Sequence, residues 1–298
     1  MTSAVSSSSL PRAAEMGTAA DGSPSYLERL CGRVEIVGTT LCVGIDPEPS
    51  ALPAGFSRDV RGIEAFCRLL IESTAQHAAA YKANLAFFEA FGSAGLAALE
   101  RIRAAIPAGI PFVADAKRGD IGSTAARQAV ALYDVLGSDA VTVSPYLGRE
   151  AVEPLIGRRD RFAYVLCRTS NGGAGEFQGL AVDGDPLYVH VARHVSEWSA
   201  SGATVGLVVG ATAPQELERI RSVAPTLPFL VPGVGAQGGE VIPVLQHGPV
   251  TAGQANETRG GGLLVNVSRG ISSAALEGQD PGVALFAASQ RWARVLRC

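Results

Sequence analysis

Residues 110–124 read IPFVADAKRGDIGST, and the fold is decided by how this stretch is read. It opens with a short apolar run, 111–114, and passes at once into a cluster of charge: Asp115, Lys117, Arg118 and Asp120. A helical spacing follows, in which Ile121, Ala125, Ala129 and Leu132 share one face. An apolar strand that empties into polar residues and then a helix is one β-then-α unit. In parallel α/β proteins the chemistry gathers where strand gives way to loop.

The same unit recurs on both sides. Residues 40–45, 140–143, 162–166, 205–209, 228–231 and 263–267 are short apolar runs, and 80–84 is an Ala-rich one. With 111–114 these make eight candidate strands. Most are apolar throughout, which suits strands buried on both faces of a parallel sheet. Helical periods lie between them. Ile63, Phe66, Cys67 and Leu70 share a face, and residues 212–215 fit a capping box with Pro214 in the first turn, ahead of Leu217, Ile220 and Ala224. Eight such units predict a (β/α)8 TIM barrel, one catalytic domain over residues 24–298, after a flexible Ser- and Ala-rich tail, 1–23, that is expected to be dispensable. The structural alternative is a doubly wound sheet, which usually has fewer strands for this length. No GxGxxG follows the first strand.

Composition narrows the partners. Of the 298 residues, 47% are hydrophobic and 18% charged, and the net charge is −3. Such a surface suits neither a nucleic-acid duplex nor an anionic membrane. No run of 18 apolar residues predicts a transmembrane helix, and the N-terminus lacks a signal peptide's apolar stretch. The five cysteines are scattered without a CxxC, which predicts a reduced, cytoplasmic protein with Cys42 and Cys167 as small core residues.

The strand ends hold the candidate chemistry. The first strand ends in Asp46. The second carries Lys82 and Asn84, two apart and so facing the same way. The third places Asp115 and Lys117 on one face, within reach of Lys82. Lysines and carboxylates crowded into an apolar-walled mouth hold each other charged. That array suits a reaction in which negative charge develops on a substrate and is quenched by a proton from lysine. The fifth strand ends in Thr169-Ser170-Asn171, the seventh in a Pro232-to-Gln237 run, the eighth in Ser268-Arg269-Gly270. A guanidinium after strand eight suits a phosphate. The bland readings are surface ion pairs, a solvated Arg269, and Asp120 as a cap for a helix starting at Ile121. His190 and His194 are four apart, but no HExxH surrounds them and they fall on an outer helix, so no metal site is predicted.

The run Asp115-Ala-Lys117-Arg-Gly-Asp120-Ile121-Gly-Ser-Thr124 resembles the signature of the orotidine 5′-phosphate decarboxylase family. Tyr81-Lys82-Ala-Asn84, the Pro232-to-Gln237 run and Arg269 support it. The likeness runs from about Tyr26 to the last helix and is greatest to a bacterial branch with longer chains. It implies conversion of orotidine 5′-phosphate to uridine 5′-phosphate, the last step of de novo pyrimidine nucleotide synthesis, with no metal or organic cofactor. Lys117 would protonate C6 as carbon dioxide leaves, and Asp115 would orient Lys117 beside the departing carboxylate. Lys82 would bond the ribose and steady Asp115, and Asp46 would hold a ribose hydroxyl, with Asn84 beside them. The resemblance also implies a homodimer in which Asp120, with Ile121 and Thr124, enters the partner's site. Ser170 would read the pyrimidine edge and Pro232 line the pocket. Gln237 would bridge base and phosphate, and Arg269 grip the phosphate. Residues 1–23 have no counterpart in compact members, and 238–262 is long and Gly-rich.

Two other readings compete. Metal-dependent barrels acting on sugar phosphates, such as hexulose-phosphate synthase and keto-gulonate phosphate decarboxylase, share the D-x-K-x-x-D run but are expected to have an acidic metal ligand where this chain has Lys82. A barrel kept only as a binding protein would have lost one of the charged set, and all four are present.

Overall fold

The computed structural model describes residues 24–235, 238–277 and 280–298. Among them eight parallel strands close into a barrel: β1 Leu41–Ile45, β2 Ala80–Asn84, β3 Phe112–Arg118, β4 Ala140–Val143, β5 Phe162–Arg168, β6 Val205–Val209, β7 Phe229–Pro232 and β8 Leu264–Val267. Each pairs with its sequence neighbours, and β8 returns to β1 with Leu41 opposite Val265. All eight expected strands are present. β3 runs four residues beyond the apolar segment, carrying Asp115 and Lys117 within the strand itself.

The main helices are α1 Tyr26–Val37, α2 Val60–Thr74, α3 Gly92–Ala105, α4 Gly122–Ala129, α5 Leu187–Ala200, α6 Pro214–Val223, α7 Val241–His247 and α8 Pro281–Val295. Two cores result. One lies between barrel and helices and takes in the α2 face of Ile63, Phe66, Cys67 and Leu70. The other fills the barrel with Cys42, Ala80, Val113, Ala140, Phe162, Tyr164, Val208, Leu230 and Leu264. This second core is closed from below by α1, whose apolar face was not foreseen. Its start is a complete capping box, Ser25 with Glu28. Tyr26 stacks on Phe162 with ring centroids 5.1 Å apart, and its hydroxyl meets that of Tyr164 at 3.1 Å. With the bottom plugged by aromatic rings, a ligand reaches the barrel interior from the C-terminal mouth.

Two local expectations fail. The 212–215 capping box does not form: α6 begins at Pro214 with Ala213 as its cap residue, and the Thr212 hydroxyl instead donates to the Ser170 carbonyl at 3.4 Å. A tertiary partner outcompetes the local one. Ile121 does not join the buried face of Ala125, Ala129 and Leu132. It precedes α4 and is 59% exposed. Asp120 is not the cap residue of that helix, since Ile121 holds that position, though its Oδ1 accepts the Ile121 N–H at 2.8 Å. Among the described residues no helix is long and apolar enough to cross a membrane. His190 and His194 bond separately, to the Val182 carbonyl and Glu197, and no metal-holding group of side chains is found among the described residues.

Candidate active site

A cavity of about 670 Å³ opens at the C-terminal mouth of the barrel. Asp46, Lys82, Asn84, Asp115, Lys117, Ser170, Pro232 and Arg269 all line it. Strand periodicity explains the inward aim: Lys82 follows Ala80 by two residues on β2, and Asp115 follows Val113 by two on β3, above the filled interior.

The charges are directly coupled. Lys82 Nζ lies 3.1 Å from Asp115 Oδ2 and 3.7 Å from Asp46 Oδ1, and Lys117 Nζ lies 2.7 Å from Asp115 Oδ1. Lys82 is only 4% exposed. Burial alone would lower its pKa, but the Asp115 and Asp46 carboxylates outweigh that and hold the ammonium above the ordinary lysine range. For Asp115, burial alone would raise the pKa. Lys82 and Lys117, with a hydrogen bond from Thr142, hold it well below the usual carboxylate range. Beneath them Cys42 is a neutral thiol, pushed up to about 12 by burial.

Lys117 is held in an uncommon backbone state, with φ +49°; among the described non-glycine residues only Asp183 shares it. Such a conformation costs about 1–3 kcal/mol and persists where the surroundings impose it. Here a bulge imposes it: the β3–β4 register shifts between Ala114 and Arg118. The displaced Lys117 N–H finds Thr142 Oγ1 at 3.0 Å rather than a strand carbonyl, and the Thr142 hydroxyl donates to Asp115 Oδ1 at 2.7 Å.

A second chain of bonds sets Asp46. Its Oδ1 accepts the Asn84 N–H at 3.2 Å and its Oδ2 accepts Ser268 Oγ–H at 2.6 Å, while Asn266 Nδ2 donates to Ser268 Oγ at 3.2 Å. The loop after β5 is folded by Gln178, whose amide accepts the Thr169 N–H and donates to Thr169 Oγ1, both at 2.9 Å. This brings Ser170 and Asn171 to the cavity wall.

Sequence reading assigned no role to Thr142, Asn266 or Ser268. The first two did leave a signal, one polar residue each within the otherwise apolar strands AVTV and LVNV. Asp120, Ile121 and Thr124 stand apart from the cavity lining, and Gln237 lies outside the described residues.

The comparisons with known proteins agree with this geometry. The family described as "Orotidine 5′-phosphate decarboxylase / HUMPS family" matches residues 39–280. A curated orotidine 5′-phosphate decarboxylase of Thermomicrobium roseum is 47% identical over 249 residues, 83% of this chain and 86% of that one. Among solved structures, Leishmania donovani OMP decarboxylase superposes with a TM-score of 0.76 at 39% identity, covering 92% of this chain and all of that one. Leishmania donovani UMP synthase gives 0.78 at 41% identity, with 92% of this chain spanning 57% of that longer one.

Proposed function

The chain belongs to the orotidine 5′-phosphate decarboxylase / HUMPS family, and from that premise we propose that it converts orotidine 5′-phosphate to uridine 5′-phosphate by direct loss of carbon dioxide. The observation that carries this reading is the Lys82–Asp115–Lys117 array, with both ammonium groups on one carboxylate at the barrel mouth. In the reaction the C6–carboxyl bond breaks, carbon dioxide departs and the electron pair stays on C6 in the ring plane. A fixed ammonium stabilises that charge as it appears. Lys117, the more exposed of the two lysines, gives its proton to C6 and is recharged from solvent. Lys82 is buried against two acids and steadies Asp115 while reaching a ribose hydroxyl.

The other roles follow the cavity. Asp46, directly after β1, and Asn84, the last residue of the adjoining β2, suit the ribose. Ser170 and Pro232 suit the base and Arg269 the phosphate; for Gln237, outside the described residues, the bridge between base and phosphate rests on the family resemblance alone. Phosphate binding far from the reacting carbon supplies energy for ordering the site.

The reading includes a homodimer with shared sites. Asp120, Ile121 and Thr124 are not among the residues that line their own cavity. Their loop is tied to the loop after β4 by Ser144 N–H to the Arg118 carbonyl, 2.8 Å, and Asp120 N–H to the Ala151 carbonyl, 3.1 Å. The second loop displays Tyr146 at 82% and Leu147 at 53% exposure. Apolar residues beside an acid with no site of its own suit a two-fold contact. The cysteines of the described region are all free thiols, which fits a reducing, cytoplasmic setting.

The metal-dependent sugar-phosphate reading is disfavoured by Lys82. A divalent cation beside Asp46 and Asp115 would have to displace an ammonium already paired with both. The deciding experiment is the ultraviolet change of orotidine 5′-phosphate mixed with purified full-length protein in excess chelator. Conversion at an undiminished rate is expected. No conversion, or conversion restored only by magnesium, sinks the reading.

A further inference from the structure

Thr142 is 1% exposed, next to the C-terminal end of β4, and touches both residues on which the proposed chemistry depends. A hydroxyl has one proton to give and lone pairs to receive. Asp115 is held ionised by two lysines and has no proton to offer, so the Thr142 proton points to Asp115 Oδ1. The Thr142 lone pair is then left for the Lys117 N–H. One side chain thus closes two gaps that the bulge in β3 opens: a backbone donor with no ladder partner, and a carboxylate oxygen otherwise held by Lys117 alone.

We infer that Thr142 is a positioning residue of the reaction, one hydroxyl that fixes the Asp115 carboxylate and the Lys117 backbone relative to each other. The inference rests on the decarboxylase reading and adds to it a residue that acts only through others. The need arises during turnover. To protonate a substrate carbon, the Lys117 ammonium has to turn one of its N–H bonds to that carbon, which loosens its hold on Asp115 Oδ1. Lys82 bonds the other oxygen, 3.1 Å away. With Thr142 in place, Oδ1 keeps a donor at 2.7 Å while Lys117 is turned to substrate. Asp115 neither swings after the lysine nor draws its proton back. The backbone bond holds the lysine's starting point over the same interval. Thr142 is 1% exposed, so a side chain of the same shape leaves no room for water to take over the bonds of its hydroxyl.

The effect belongs to the step in which charge moves, so it falls on kcat more than on KM. Thr142→Val keeps the shape and deletes the hydroxyl. A hydrogen bond to a charged group of this kind is worth about 10- to 150-fold in rate, and kcat is expected to fall by that factor while KM changes by less than about three-fold. Thr142→Ser returns the hydroxyl without the methyl and is expected to recover kcat to within about three-fold of the parent. If the Val variant does not fold, Thr142→Cys, of similar size and a poor donor, takes its place with the same expected loss. A folded Val or Cys variant with the parent's kcat overturns the inference. So does a Ser variant as slow as Val, which would make shape rather than the hydroxyl the cause. A parent protein that leaves orotidine 5′-phosphate unchanged is a different result: it removes the decarboxylase reading itself, and this role with it.

Discussion

Ser268 Oγ donates to Asp46 Oδ2 at 2.6 Å, joining the end of the last barrel strand to the end of the first. The bond is possible because Gly44 leaves room for it. A Cβ at Gly44 would lie 1.8 Å from Ser268 Oγ and 2.7 Å from its Cβ. The seam that closes the barrel is therefore also the seam that orients a candidate ribose ligand.

Gly44→Ala is accordingly expected to destabilise the fold and raise KM together. Overpacking of this kind costs about 1–3 kcal/mol, which for a domain of this size lowers Tm by roughly 2–4 °C per kcal/mol. Adding Ser268→Gly, which removes the two nearest clashing atoms, should recover part of the melting temperature. A Gly44→Ala protein that melts and binds like the parent would show that the seam relaxes freely.

Asp115 makes a specific pH prediction. Its carboxyl is depressed in the folded protein because Lys82 and Lys117 outweigh its burial. A depressed acid contributes stability above its unfolded pKa, about 3.9, and loses that contribution as pH falls through the folded value. Lys82 is raised, so its contribution holds below the unfolded lysine value, about 10.4, and is lost as pH rises through the folded one. The difference in unfolding free energy between parent and Asp115→Asn should thus be constant from about pH 6 to pH 9 and shrink below about pH 4. Denaturant titrations at several pH values test it. A difference that persists undiminished into acid would show that Asp115 is not held by its lysines.

Arg269 lines the cavity, separated from the end of β8 by Ser268 alone. Arg269→Ala should raise KM by roughly 10- to 150-fold, the worth of a charge-assisted contact, with a smaller effect on kcat. Steady-state kinetics with orotidine 5′-phosphate decide the matter. An unchanged KM would remove Arg269 from the phosphate's surroundings.

Asp120 tests the shared site. Asp120→Ala and Lys117→Ala should each be nearly inactive alone. In a mixed dimer built from both, one site carries both defects and the other carries neither. Random pairing makes half the dimers mixed and leaves half of their sites intact, so co-expression should restore about a quarter of the parent activity, by two-fold symmetry. Verified mixed dimers that stay inactive would place Asp120 in its own chain's site.

The amino-acid sequence was enough to read the β-then-α alternation, because strands buried on both faces must be apolar throughout and so stand out between helical periods. It also determined Asp46, Lys82, Asp115, Lys117 and Arg269 as a set, since each follows an apolar run where a barrel opens. What lay beyond it was decided by contacts between segments distant in the chain. Thr212 forms part of a capping box on paper, yet bonds the Ser170 carbonyl 42 residues away. The role of α1 as a floor depends on Tyr26 meeting Tyr164, 138 residues later. The left-handed backbone at Lys117, and the tie through Thr142, exist only because β4 lies beside β3 with a shifted register. Local pattern records which side chains must be buried. Which buried polar groups find each other depends on closing the barrel, because each bond needs two strands held at a fixed separation.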